Sequence, residues 1–226
     1  MTLTKDRPEI LAKIESKGHW VVNIRPDRFV QERITLPECE EVIEKSSVML
    51  RGWDYPHFNR NNLTRGLNYA QCVADFWGHI ELWRYFQSGQ FFHKFSCVED
   101  WDAKMPQNSL EIIMTLYRLT EIFEFAIRLA KKELLGSNVT INIVLNGMQN
   151  RRLATLDFGR SLFRDYECTL PSLPISKTVP TTDLISHGHD MALDTTVWIF
   201  QRFGWMSTDV KSVMASDQQR FLKGLI

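Results

Sequence analysis

The chain has 226 residues, 44% of them hydrophobic and 24% charged, with 27 basic side chains balanced by 27 acidic ones. That length supports a substantial core, as one large domain or two small ones. Zero formal net charge excludes a global field that would draw in DNA or an anionic membrane and leaves only local basic patches.

The opening run Met-Thr-Leu-Thr-Lys-Asp-Arg-Pro-Glu has no apolar signal core, and no stretch approaches a membrane span. Cys39, Cys72, Cys97 and Cys168 lie far apart without a CxxC pair, as in a cytoplasmic protein with reduced thiols. In chain order, Asp6–Lys17 is expected as a short helix. Asp6 and Glu9 have capping-box spacing, Pro8 sits in the first turn, Ile10, Leu11 and Ile14 form a stripe, and Gly18 stops it. His19–Arg25 reads as a strand ended by Pro26. Thr35, Pro37 and Glu38 open a second helix, to about Lys45, that buries Val42 and Ile43. The apolar run Val48–Leu50 suits a strand, and Asn59–Gly66 a loop. Leu67–Phe76 is ambiguous between strand and helix. The aromatic-rich run from Glu81 reads as two strands, or one bent strand, around Ser88-Gly89. Glu99–Pro106 is a polar connection between a sheet-rich half, about 1–104, and a helix-rich half, about 105–226, of one domain.

Asn108–Gly136 is the clearest helix. Asn108 and Glu111 have capping-box spacing, Gly136 supplies a left-handed stop, and only Tyr117, Glu121, Glu124, Arg128 and Lys131 form a polar face. At about 26 residues and 39 Å it reads as a central helix or a contact between copies, so a homo-oligomer through it is expected. Val139–Leu145 alternates as a strand, Asn146-Gly147 turns, and Gln149–Arg152 is a basic loop. Pro171, Pro174 and Pro180 exclude a long helix over Leu170–Thr182. A helix from Thr182 or Asp183 to Phe203, interrupted or delayed by Gly188, and a last one capped by Thr208 or Asp209 complete the chain. The fold class is α+β: a mostly antiparallel sheet packed against a long central helix and C-terminal helices.

Three runs, Gly18–Pro26 (GHWVVNIRP), Leu50–His57 (LRGWDYPH) and Gln87–Phe91 (QSGQF), resemble an uncharacterised bacterial family. Some of its members accompany DNA- or ATP-binding modules of the Schlafen AlbA-like type. The resemblance covers roughly the N-terminal half and implies no activity or residue role here.

No GxSxG elbow, Walker A loop, GxGxxG fingerprint or HExxH motif occurs. His187 and His189 are two apart, whereas helical metal pairs use three or four, and His189 with Asp190 fits a helix start; no metal or cofactor is expected. Asp54 with His57, and Glu121 with Glu124, are the pairs from which catalysis could be assembled, although Glu121 and Glu124 also fit a solvated face with Arg118 and Arg128. The aromatic-polar constellation says more. Arg51, Trp53, Tyr55 and His57 alternate on one run, and Trp83, Tyr85, Gln90 and His93 belong to another. Such a surface stacks a planar ligand, with Arg51, Arg151 and Arg152 on phosphates. The same alternation also fits a core face, with Arg51 in a buried ion pair and Trp20, Trp53 and Trp83 in one cluster. The chain therefore reads as a non-catalytic, self-associating module for a planar ligand, nucleotide or nucleic acid. The alternative is a small hydrolase or nucleotide-handling enzyme using the same surface. A flat open patch favours the module; a cleft with an isolated carboxylate–histidine pair favours the enzyme.

Overall fold

Alternating side chains build a sheet, and most of the helices cover one of its faces. The computed structural model describes residues 7–157 and 159–225. It opens with helix α1 (Pro8–Glu15), strand β1 (His19–Pro26), helix α2 (Leu36–Ser46) and a hairpin of β2 (Val48–Arg51) and β3 (Trp53–Tyr55). Strands β4 (Thr64–Arg65), β5 (Tyr69–Phe76), β6 (His79–Phe86) and β7 (Phe91–Ser96) follow. Then come β8 (Ser109–Glu111), helix α3 (Ile112–Lys131), β9 (Asn138–Asn146), β10 (Arg152–Ala154), β11 (Ser172–Pro180), and helices α4 (Thr181–Arg202) and α5 (Val210–Leu222). Seven strands make one antiparallel sheet in the order β11-β9-β1-β7-β6-β5-β4. The fold is α+β.

Register decides which side chains share a face. Trp20, Val22 and Ile24 lie opposite Leu145, Ile143 and Ile141 on one side and Phe95, His93 and Phe91 on the other. Trp83 and Tyr85 continue these rows opposite His93 and Phe91. All are buried under the layer of α2, α3 and α4. Helix α3 is the centre of that layer, with Leu116, Leu119, Ile122, Phe123, Phe125 and Ala126 fully buried. The hydrophobic cluster draws on both the sheet-rich and the helix-rich half. The connection between them is stitched down too, since Glu99 accepts the Glu111 N–H at 3.0 Å and Asp100 accepts the Gly18 N–H at 2.9 Å.

Several boundaries differ from expectation. Asn108 takes φ 54°, and Ser109–Glu111 pairs with β10 as a strand. Glu111 therefore caps α3, accepting the Met114 N–H at 2.6 Å, and the helix ends at Lys131, before Gly136. Most of its apolar circumference is covered by the sheet, α2, α4 and α5 of the same chain, while Ile113, Met114 and Tyr117 near its start stay half-buried. The ambiguous stretch becomes β5, because it fits between β4 and β6. Residues 172–180 form an edge strand despite Pro174 and Pro180, which an edge tolerates because it has no outer neighbour to bond. Helix α4 runs unbroken through Gly188, whose missing side chain lets α3 approach closely. The expected capping box of α2 is present at Thr35 and Glu38. The expected cap of α1 at Asp6 lies outside the described residues, and Arg7 precedes the helix without a side-chain cap. Among the described residues, no helix is long and apolar enough to cross a membrane.

Candidate functional site

The hairpin β2–β3 turns at Gly52, φ 40°, and leads into a cis Tyr55–Pro56 peptide. It lies against α3, so Arg51 meets that helix directly. Arg51 Nε and Nη2 donate to the two carboxylate oxygens of Glu121 at 2.8 and 2.7 Å. Glu121 is fully buried and Arg118 nearly so; neither belongs to the solvated face expected of them. Tyr55 points inward, its ring 5.2 Å from His93 and 6.0 Å from Phe125. Trp20 and Trp83 join the core, whereas Trp53 stays half-buried outside it, stacked between His57 and His79 at 4.5 Å from each.

The Asp54–His57 pair exists. Nδ1 of His57 lies 2.6 Å from Asp54 Oδ1, while Asp54 Oδ2 accepts the Phe58 N–H at 2.8 Å. The hydrogen bond to Asp54 holds His57 above its ordinary value. Burial pushes the Asp54 carboxyl up, but the bonds from His57 and Phe58 outweigh it and leave it lowered. Both oxygens of Asp54 are thus committed to closing the turn through Pro56. The His57 backbone is fixed as well, its N–H donating to Glu81 at 3.2 Å and its carbonyl accepting from Trp83 Nε1 at 2.7 Å. Deeper in, His93 donates Nε2–H to Glu81 at 2.8 Å, and burial holds its pKa low, in the neutral form.

The remaining candidates do not converge. Tyr85 is buried in the core, and Gln90 sits in the β6–β7 turn. Arg151 is no solvated loop residue. It is 3% exposed, pairs with Asp100, and donates to the carbonyls of Gly147 and Ser109 at 2.9 and 2.7 Å. A Cβ on Gly18 would fall 2.1 Å from the Arg151 guanidinium, so this glycine makes room for that side chain rather than ending a helix in left-handed geometry. Arg152 is exposed but shared between Asp165 and Glu167 at 3.3 and 3.1 Å. His189 lies inside α4, with Nε2 3.0 Å from Glu124, not at a helix start.

The opposite face of the sheet is built differently. Among the described residues only α1 packs on it, against β6 and β7. There one cross-strand row runs Ser176, Asn142, Asn23, Phe92, Arg84, Gln71 and Thr64, each directly opposite the next. A neighbouring row begins Thr178, Thr140, Arg25. Where β1 leaves the sheet, a cavity of about 300 Å³ is lined by Arg25, Arg28, Phe29, Ser88, Gln90 and Thr140, among others. Phe29 is 78% exposed. Arg33 lies beside the cavity, donating Nη2 to the Arg28 carbonyl at 3.0 Å, and its buried Nε has no partner among the described residues. None of these three arginines forms an ion pair among the described residues. Asp27, the acid within the cluster, is tied to Ser137, Asn138 and the Arg28 N–H, and the bond from Asn138 chiefly lowers its pKa.

Only Gln90 of the sequence candidates reaches this pocket. The signal for the rest was present in the loop after Pro26, where Arg28, Phe29 and Arg33 crowd one short connection. The fold defines an α+β protein with its main helical layer on one face of the sheet, while on the other face only α1 packs among the described residues. Comparison with family models, with curated proteins and with solved structures finds no match.

Proposed function

We propose that the chain is a cytoplasmic binding module whose ligand is a compact planar anion of the nucleotide type, held where β1 leaves the sheet. One observation carries the reading: Arg25 and Arg28, without ion-pair partners among the described residues, line a cavity of about 300 Å³ with the exposed ring of Phe29. Guanidinium forks match phosphate oxygens, and an exposed ring offers a base a face to stack on. Gln90 and Ser88 add polar groups that would fix orientation. Four free, buried thiols support the cytoplasmic setting. The enzyme alternative draws less support, because Asp54 and His57 hold the chain rather than face a ligand.

The test is calorimetric titration with a panel of nucleoside mono- and diphosphates. Arg25→Ala with Arg28→Ala should weaken binding at least about tenfold, the scale of losing charge-assisted hydrogen bonds. Their urea midpoint should stay near the parent's, because both side chains are exposed. A parent that binds no member of the panel, or a double variant that binds as the parent does, would overturn the proposal.

A further inference from the structure

The pocket occupies only one corner of the open face, and the face continues in kind. Two rows lead away from it, Thr178–Thr140–Arg25 and Ser176–Asn142–Asn23–Phe92–Arg84–Gln71, and neither contains an Asp or Glu. Asn23 carries a buried Oδ1 with no hydrogen-bond partner among the described residues, an acceptor waiting for an N–H. Phe92 next to it is half-buried, lies outside the core cluster, and has no aromatic neighbour among the described residues. Apart from Asp27 in the pocket itself, the carboxylates Glu15 and Asp75 are paired with Lys94 and Lys13 at the end covered by α1.

From this we infer that the ligand is a short single strand of nucleic acid, running from the arginine pocket across the open sheet face. The inference rests on the reading that the pocket takes a nucleotide. From β9 to β6, short of the buried Gln71, the row crosses three strand spacings, roughly 14 Å, a span that one nucleotide seated at Phe29 and Arg28 leaves mostly uncovered. Successive nucleotides could set a phosphate on the arginines, a base on Phe29 and a following base on Phe92, with Asn23 and Asn142 reaching base edges. Stacking on aromatic rings tolerates any base. A duplex fits less well, because its bases are already stacked and it relies on many phosphates meeting many cations.

Fluorescence anisotropy with a labelled uridine series, from the monophosphate to an octamer, separates the two claims. The tetramer should bind at least about tenfold tighter than the monophosphate. Phe92→Ala should lower tetramer affinity about 5- to 150-fold, the range of one lost stack, and leave the monophosphate unchanged. Phe92→Leu keeps the apolar volume and should also weaken the tetramer, which guards against a folding effect. Arg28→Ala should weaken both ligands. If the tetramer binds no tighter than the monophosphate, or Phe92→Leu binds it as the parent does, the single-strand inference fails and the nucleotide pocket stands. If a hairpin duplex of the same length binds tighter than the single strand, the inference fails likewise. If the parent binds neither, both readings fail.

Discussion

Replacing Gly188 by alanine tests whether the contact between α3 and α4 depends on an absent side chain. In a free helix that substitution gains about 1 kcal/mol. Here the new Cβ would lie 2.7 Å from Ile127 Cδ1, 2.9 Å from its Cγ1 and 3.2 Å from Leu184 Cδ1. Ile127 is 2% exposed, so its methyl has no free volume to enter. Overpacking of that kind costs roughly 1–3 kcal/mol. The net effect of Gly188→Ala is then a loss of about 0–2 kcal/mol, too small to decide anything alone. A double-mutant cycle decides it. Ile127→Ala removes both offending atoms and by itself costs about 2–5 kcal/mol. In that background the alanine at 188 should become stabilising, a favourable coupling of at least about 1 kcal/mol. Urea unfolding followed by circular dichroism, with unchanged m-values, measures all four corners. A Gly188→Ala protein that gains as much stability beside Ile127 as beside alanine would refute the close-packing account.

Arg151→Ala should cost about 3–5 kcal/mol, because it strands Asp100 and two carbonyls that the guanidinium satisfies. Arg152→Ala should stay within about 0.5 kcal/mol, and equal urea midpoints for the two variants would contradict the burial of Arg151. The Asp54–His57 pair should give a pH window. His57 is raised above 6.5, so its stabilisation is complete below that pH and is lost as the pH rises through the folded value; Asp54 is lowered below 3.8, so its share is present above that pH and fades as the pH falls through its folded value. The stability difference between parent and His57→Gln should therefore be largest between about pH 4 and 6.5 and shrink on the alkaline side, and a difference flat with pH would show that the pair is not ionic.

The fold was legible where periodicity and caps agree. The alternation of β1 and β9, the capping box at Thr35 and the glycine turn between β6 and β7 all sit where the residues put them. Glycines misled, because Gly18 and Gly188 look like helix punctuation and serve instead as room for Arg151 and Ile127. Asn108 and Glu111 carry a capping-box spacing, yet pairing with β10 takes Ser109–Glu111 into a strand. The candidate site failed for a more general reason. A period of two separates side chains into two faces but says nothing about which face the helices will cover. Trp83, Tyr85 and His93 share the face that α3 covers; Asn23, Phe92 and Arg84 share the other.

Net charge misleads in the same way as periodicity, because it adds charges that never act together. Arg51 is neutralised by Glu121, Arg151 by Asp100, Arg160 by Asp217 and Arg60 by Glu44. Such pairs present little field beyond their own contact. Arg25, Arg28 and Arg33 have no such partners among the described residues, and the carboxylate beside them, Asp27, offsets only part of their charge. A chain with no net charge can thus carry a local excess of positive charge. Screening confines that excess to about 8 Å at physiological salt, a little under two strand spacings. Phosphates beyond that radius gain little from it. Attraction should therefore anchor one end of a ligand, and whatever lies farther along the sheet must be held by contact, through Phe92 and the asparagine row.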